Sequence, residues 1–212
     1  YSAGEESIAS MPNIKVGKFI TQVILQNIEV EDIDLSNATD LRSAWVQNNP
    51  ALQKLDLSYS TIWGQGDKET EGNGTYGSSL MVLGCPILKE IKLPEKNELK
   101  AYRIDIECLD ALETFDMSNV KMVAELSIGD LNKDFNLVYP ELTIFYSEDG
   151  YAGTYFACSE NTFYRESTQA FLKANYTDID PDDTVRRLGY TSSLSYDKNK
   201  GCRWRTLLNK QK

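Results

Sequence analysis

The residues of this sequence that could do chemistry are almost all carboxylates. The 212 residues include 32 aspartates and glutamates and no histidine. Ser-His and Cys-His nucleophiles and the common zinc sites all need histidine, so these classes are excluded. Two facing carboxylates could still hydrolyse a glycosidic bond, but spacing alone selects no pair among so many acids. The sequence therefore predicts a non-catalytic protein, with a carboxylate-dependent, glycan-acting enzyme as the alternative.

One acidic cluster near the C-terminus has the composition of a cation site. Asp178, Asp180 and Asp182 alternate in DIDPDD, and carboxylates are ligands that Ca²⁺ prefers. The glycine and the bidentate glutamate of an EF-hand loop are missing from this stretch. Asp180 followed by Pro181, with two arginines and a glycine downstream, is more typical of a helix start. We therefore expect a helix here, with a metal site as the alternative, and no cofactor in the protein.

The overall charge limits the partners. The formal net charge is −10 and the pI is near 4.6. Nucleic-acid phosphates and anionic lipid surfaces would be repelled, so neither is expected to bind. The longest apolar run, residues 80–88, is far shorter than the about 20 residues of a membrane helix. We expect a monomer without a membrane span that binds a protein or a glycan.

The first residues and the cysteines bear on location. The chain opens at YSAGEES, with neither Met nor a basic-then-apolar leader, which we interpret as a mature chain whose export signal has been removed. We therefore expect a secreted or cell-surface protein. Cys85 and Cys108, just before predicted strands, are expected to be buried thiols. Cys158 and Cys202 are the pair that could form a disulfide if the protein is exported.

The elements that would position the carboxylates recur along the chain. Leu52, Leu55 and Leu57 follow the spacing L-x-x-L-x-L, and similar triplets begin at positions 30, 88, 112 and 142. Three of the five triplets have a proline two residues earlier, namely Pro50, Pro86 and Pro140. Any half-buried strand alternates apolar residues, so an ordinary sheet is the alternative. A proline recurring with a fixed triplet favours a repeat, interrupted by a Gly-, Ser- and charge-rich insertion at 63–79.

These repeats resemble leucine-rich repeats, and among them the irregular BspA-like repeats of bacterial surface proteins. The resemblance is carried by NNPALQKLDLSYSTI, GCPILKEIKLPEKNEL, LDALETFDMSNVKM and VYPELTIFYS. It implies an α/β leucine-rich repeat solenoid, in which a short irregular parallel sheet is joined by irregular or helical return segments. It also implies a role in adhesion or binding. The expected domains are an N-terminal cap (1–28), about five repeats (29–147) and a C-terminal cap or small α+β module (148–212).

Local signals predict how the C-terminal part begins. Residues 147–153 contain Asp149-Gly150, which is typical of a tight turn, and residues 154–159 alternate as a strand. Residues 161–176 place Phe163 and Phe171 near one helical face, which predicts a helix that closes the core.

The predicted binding surface consists of residues that alternate with the apolar triplets, because neighbouring strand residues point to opposite faces. Between the second and third apolar positions stand, in successive repeats, Asp34, Asp56, Lys92, Asp116 and Tyr146. Nearby outward positions add Lys54, Glu90, Glu113 and Ile144. We predict that these nine residues line an exposed, mainly acidic face that binds the ligand. The alternative is a solvated face of a purely structural surface component.

Overall fold

The computed structural model describes residues 9–65, 78–132, 134–143, 147–148, 151–152 and 154–175. These residues form an α/β protein of mostly parallel strands with few helices. In chain order the elements are β1 (Ala9–Lys15), β2 (Gln22–Gln26), β3 (Ile28–Asp34), β4 (Ser43–Gln47), β5 (Lys54–Asp56), β6 (Ser79–Leu83), β7 (Glu90–Lys92), β8 (Leu99–Leu109), β9 (Thr114–Asp116), β10 (Val120–Leu131), β11 (Asn136–Val138), β12 (Ser147–Glu148), β13 (Tyr151–Ala152), β14 (Tyr155–Cys158), α1 (Glu160–Phe163) and α2 (Glu166–Asn175). In the part of the chain described, no helix is long and apolar enough to cross a bilayer.

The largest sheet contains six parallel strands in the order β2-β4-β6-β8-β10-β14. Its register places one residue of each strand in a single row, namely Ile24, Trp45, Met81, Asp105, Ser127 and Ala157. Parallel neighbours need a crossover connection. Each crossover here contains a short strand that belongs to a second set.

The second set consists of three parallel pairs, β1–β3, β5–β7 and β9–β11. Leu55 lies beside Ile91, a step of 36 residues that equals the step from Trp45 to Met81 in the large sheet. Phe115 lies beside Leu137, a step of 22 residues that equals the step from Asp105 to Ser127. The two sets of strands therefore advance together along the chain.

The inward side chains of both sets belong to one hydrophobic core. The predicted triplet of Leu52, Leu55 and Leu57 is fully buried, and so are Val46 and Ile104 of the large sheet. Burying one such side chain contributes about 1.5–3 kcal/mol. The apolar positions of the triplets are thus used for packing, and the residues between them lie on the opposite side.

The return segments differ from the expectation of irregular or helical structure. The segments 40–46, 99–104 and 126–135 contribute β4, β8 and β10, so the prediction was wrong in this respect. In β4 the buried residues Ala44 and Val46 alternate with the half-buried Trp45. This period of two fits a strand, whereas a helix would bury one residue in three or four.

The fifth predicted repeat also differs from the structure. The strand beside β9 is β11, which lies before the predicted triplet at 142–147. Leu137 is 22 residues after Phe115, which is close to the preceding repeat length. Leu142 is buried, but residues 144–146 lie outside the described part of the chain.

The C-terminal predictions are confirmed where the structure describes them. β12 and β13 pair antiparallel around the predicted turn, and β14 occupies 155–158 of the predicted strand. The predicted helix is present as two short helices, α1 and α2. β14 pairs with β10 and so continues the six-stranded sheet. Asp178, Asp180, Asp182 and Cys202 lie outside the described residues, so the predicted helix, its alternative as a metal site and the disulfide stay predictions.

The corners at the ends of four strands of the large sheet have an unusual backbone. Asn27, Asn48, Gly84 and Cys108 occupy equivalent positions after β2, β4, β6 and near the end of β8, with φ of 53°, 52°, 63° and 53°. Glycine adopts this left-handed conformation freely and asparagine tolerates it. Pro50 and Pro86 each follow two residues later. The recurring proline therefore marks the point where the chain leaves the large sheet.

Two residues that follow these corners are buried. Asn49 is fully buried, and its Oδ1 accepts the backbone N–H groups of Val30, Ala51 and Leu52 at 3.1, 3.2 and 3.2 Å. It therefore joins its own turn to β3. Cys85 occupies the same position one repeat later and is a buried thiol, as predicted, and burial raises its pKa to about 12. Cys108, itself a corner residue, is only half-buried, so the prediction of a buried thiol was wrong for it.

Gly64→Ala should destabilise the protein strongly. Gly64 has φ of 80°, and an added Cβ would lie 2.4 Å from Leu99 Cδ2. The left-handed conformation costs about 1–2 kcal/mol for a residue with Cβ, and overpacking adds about 1–3 kcal/mol. We expect urea unfolding to show that the free energy of unfolding falls by about 2–5 kcal/mol.

Gly17→Ala is the control, because its Cβ would meet no atom within 4 Å. Its free energy of unfolding should stay within about 0.5 kcal/mol of wild type. Equal effects of the two substitutions would contradict this account.

Candidate functional site

Four of the predicted binding residues end neighbouring short strands. Asp56 lies beside Lys92 in the register of β5 and β7. Asp34 ends β3, which contacts β5, and Asp116 ends β9, which contacts β7. We use the name strand face for eight charged residues, namely Asp34, Lys54, Asp56, Glu90, Lys92 and Asp116 of these strands, Lys15 at the end of β1 and Glu113 just before β9. All eight are exposed or half-buried.

The aspartates of the strand face also shape the turns that follow them. Each is followed two residues later by a serine whose backbone N–H donates to the aspartate Oδ1. The distances are 2.9 Å for Ser36 to Asp34, 3.0 Å for Ser58 to Asp56 and 2.8 Å for Ser118 to Asp116. These are Asx turns. Sequence reasoning did not identify this role, although the recurring Asp-x-Ser spacing was a visible signal.

The turn that follows β7 has no aspartate acceptor. Lys92 stands where the other turns have aspartate, and Pro94 stands where they have serine. Proline has no backbone N–H to satisfy, so the turn needs no acceptor at position 92. The lysine therefore breaks the row of aspartates without leaving an unpaired donor.

The middle of the strand face is balanced in charge. Lys54 Nζ lies 3.2 Å from an Asp56 oxygen and 3.2 Å from a Glu90 oxygen, and Lys92 Nζ lies 3.3 Å from Glu90. Two ammonium groups thus face two carboxylates. Exposed pairs of this kind contribute about 0–1 kcal/mol each. The excess of acid that the sequence predicted lies at the β9 end of the face, in Glu113 and Asp116, and not in its centre.

The pKa shifts on the strand face favour the charged forms of Asp34, Lys54 and Asp56. Hydrogen bonds to Asp56 and then Glu90 raise the pKa of Lys54. Burial opposes ionisation of Asp56, but the hydrogen bonds from Ser58 and Lys54 outweigh it and lower the pKa of this carboxyl. Hydrogen bonds from Ser36, aided by Lys15, lower the pKa of Asp34.

Asp116 differs from the other two aspartates of the row. Lys15 Nζ lies 3.4 Å from Asp34, and Lys54 provides the cation for Asp56. Within the described part of the chain, no lysine or arginine lies within 4.0 Å of Asp116. Its neighbour in the register is Val138 of β11. Asp116 is therefore the aspartate of the row whose charge the described residues do not balance.

A cavity of about 380 Å³ opens beside Asp116, between the turns that follow β7 and β9. Lys92, Glu95, Asp116 and Ser118 contribute its polar lining, and Ile91 and Leu93 contribute its apolar lining. We call it the β7–β9 groove. The sequence did not indicate Glu95 as a site residue. Glu95 and Asp116 belong to different turns, and only the packing of these turns places both at the groove.

Two predicted binding residues are not described by the structure. Ile144 and Tyr146 lie outside the described residues, so the predicted aromatic end of the face stays a prediction. Val138 is the residue that follows Asp116 in the observed row.

A second cavity, of about 540 Å³, lies between α2 and residues 137–142. Tyr139 stacks on Phe171 with ring centroids 4.5 Å apart, and its hydroxyl lies 2.9 Å from Thr168 Oγ1. Burial raises the pKa of this tyrosine. The short side chains of Ala170 and Ala174 also line the cavity. This cavity is mainly apolar, and sequence reasoning did not predict it.

A cluster of charged groups lies on the large sheet, away from both cavities. Arg103 lies 2.9 Å from Asp105 and 3.6 Å from Glu125, and Ser127 Oγ lies 3.2 Å from Glu107. Asp105 and Glu107 are 3% and 5% exposed. The cluster was not predicted, because none of its residues belongs to an apolar triplet or to the outward positions beside one. Burial and existing hydrogen bonds make it a structural cluster and not an open site.

Comparison of the chain with protein-family models, with curated proteins and with solved structures gives no significant match.

Asp56→Ala should cost more stability than Asp56→Asn. Alanine leaves the Ser58 N–H without its acceptor, whereas asparagine keeps a side-chain oxygen in the same place. Losing one such hydrogen bond costs about 0.5–1.5 kcal/mol. Urea unfolding should therefore place the alanine variant about 1 kcal/mol below the asparagine variant. Lys92→Ala, which removes no turn acceptor, is the control and should stay within about 0.5 kcal/mol of wild type.

Acid should destabilise the protein by protonating Asp34 and Asp56 of the strand face. Their folded pKa values lie below the ordinary aspartate value of 3.8, so their contribution is present above that value and is lost as the pH falls through the folded pKa. Urea midpoints measured from pH 6 to pH 2 should fall less steeply for the double variant Asp34→Asn, Asp56→Asn. Identical acid slopes in wild type and double variant would show that these carboxyls do not contribute.

Proposed function

We propose that this chain is a leucine-rich repeat solenoid of the irregular type and that it binds a protein or glycan ligand through the strand face. It acts without catalysis, as a secreted or cell-surface protein. The observation that carries the proposal is the row of exposed and half-buried charged residues at the ends of β3, β5, β7 and β9.

The matched steps of the two sets of strands support the solenoid. A step of 36 residues occurs in both sets where the insertion lies, and a step of 22 residues occurs in both near β9 to β11. In a solenoid each repeat contacts only its neighbours, so every set of strands must advance by the same number of residues. An ordinary sheet has no such requirement.

The chemistry of the strand face supports binding. It presents ammonium groups, carboxylates and hydroxyl groups side by side, and the β7–β9 groove gives it a concave part. A rim of charged groups around a partly apolar depression is typical of protein recognition surfaces. Sugar hydroxyl groups could use the same donors and acceptors.

The pKa directions favour binding over catalysis at this face. A glycosidase needs one carboxylic acid with a raised pKa to protonate the leaving group. The pKa values of Asp34, Asp56 and Glu90 are instead lowered. These groups are therefore suited to hold a charge for recognition and poorly suited to donate a proton.

A glycan array and an immobilised-protein screen test this function. The face variant Lys54→Gln, Asp56→Asn, Lys92→Gln, Asp116→Asn keeps the turn acceptors and the net charge of −10. The control variant Lys18→Gln, Lys100→Gln, Asp134→Asn, Glu166→Gln removes the same number of charges elsewhere. We expect a ligand that binds wild type and control equally, and the face variant at least 10-fold more weakly, with equal thermal midpoints for all three.

Absence of any ligand, or a ligand that the folded face variant binds as tightly as wild type, would contradict the proposed function. A ligand lost only by the control variant would move the site away from the strand face.

A further inference from the structure

We propose that the β7–β9 groove binds a lysine or arginine side chain of an extended basic peptide, with Asp116 and Glu95 as its counter-ions. This inference rests on the proposed function, because it names the chemical class of ligand for one part of the strand face.

The row of aspartates indicates which charge is missing. Asp34 and Asp56 each have a lysine within 3.4 Å that belongs to the chain itself. Asp116 occupies the equivalent position, makes the same turn hydrogen bond and has no such cation among the described residues. The groove opens beside this carboxylate. A partner that supplies it would complete the pattern.

Other residues of the groove do not supply the cation. Lys92 lines the groove, but its Nζ lies 3.3 Å from Glu90. Asp116 uses Oδ1 for the Ser118 N–H at 2.8 Å, and its second carboxylate oxygen has no hydrogen bond from the described residues. Glu95 is exposed and also lines the groove. The charged lining therefore carries a net charge of −1, before the pairing of Lys92 with Glu90 is counted.

The apolar part of the groove suits the stem of a long basic side chain. Ile91 and Leu93 are 7% and 8% exposed and line the groove beside the carboxylates. Lysine and arginine bury their methylene stems on apolar surface and keep the charged head near polar groups. A volume of about 380 Å³ is at the small end of the range for ligand pockets, which fits one side chain with its flanking backbone.

Charge complementarity favours a basic peptide over other occupants. The chain has a net charge of −10, so a cationic segment is attracted over long range as well as at the groove. An acidic or neutral segment would leave Asp116 unbalanced. The balanced network of Lys54, Asp56, Glu90 and Lys92 then serves as the adjacent surface for the rest of the peptide.

Short capped peptides test the proposal directly. The probes are Ac-GSXSG-NH₂ peptides in which X is arginine, lysine, norleucine or glutamate, titrated by NMR at low and moderate salt. We expect the arginine and lysine peptides to shift the backbone amide signals of residues 91–95 and 116–119, and the other two peptides to leave them unchanged. The double variant Asp116→Asn, Glu95→Gln should weaken binding of the arginine peptide at least 5-fold.

Asp134→Asn, Glu166→Gln is the matched control. It removes two carboxylate charges, as Asp116→Asn, Glu95→Gln does, but both residues are exposed and lie outside the strand face. It should change affinity less than 2-fold. Equal binding of the norleucine peptide, an equal effect of the control variant, or no binding of basic peptides at either salt concentration would overturn the proposal.

The two proposals can fail separately. If the four-residue face variant loses a ligand that the Asp116→Asn, Glu95→Gln variant still binds, the groove is not the cation site and the strand face remains a binding surface. If no ligand depends on the strand face at all, both proposals fail.

Discussion

A three-residue strand cannot bury its apolar side by itself, and the rest of this structure depends on that constraint. β5, β7 and β9 each contain three residues with a single buried side chain, Leu55, Ile91 or Phe115. Their apolar surface is removed from water only because the six-stranded sheet supplies the other side of the core. The spacing of the triplets is therefore fixed by packing, and the charged residues available for recognition are those between the apolar positions.

Those outward residues satisfy two requirements at once. An aspartate at the end of a short strand accepts a turn N–H, and the same carboxylate meets a lysine where one is available. The turn hydrogen bond keeps the carboxylate charged and fixes its position, which favours its use in recognition. The strand face is thus ordered by the same contacts that close its turns, and a ligand would meet side chains that are already positioned.

The sequence predicted β3, β5, β7 and β9 because their triplets share a fixed apolar spacing, which a proline precedes for β5 and β7. It failed on the return strands, because a few apolar residues such as Ala44, Trp45 and Val46 fit a strand or a helix until their partners are known. It also missed Asn49, whose side-chain oxygen accepts one hydrogen bond from Val30 of β3 and two from its own turn. The outward position of Asp34, Asp56 and Asp116 could be predicted from alternation. The groove could not, because it forms where two turns that are distant in sequence pack together.

Pro94 affects which substitutions the strand face can accept during evolution. The other turns tie the residue at the end of the strand to a donor two positions later, so any substitution there must keep an acceptor. The proline removes that donor and releases position 92 from the requirement. Position 92 stands at the rim of the groove and in the middle of the face. Under the proposed binding role, a lineage could therefore alter ligand preference at position 92, in charge or in size, without losing a turn hydrogen bond.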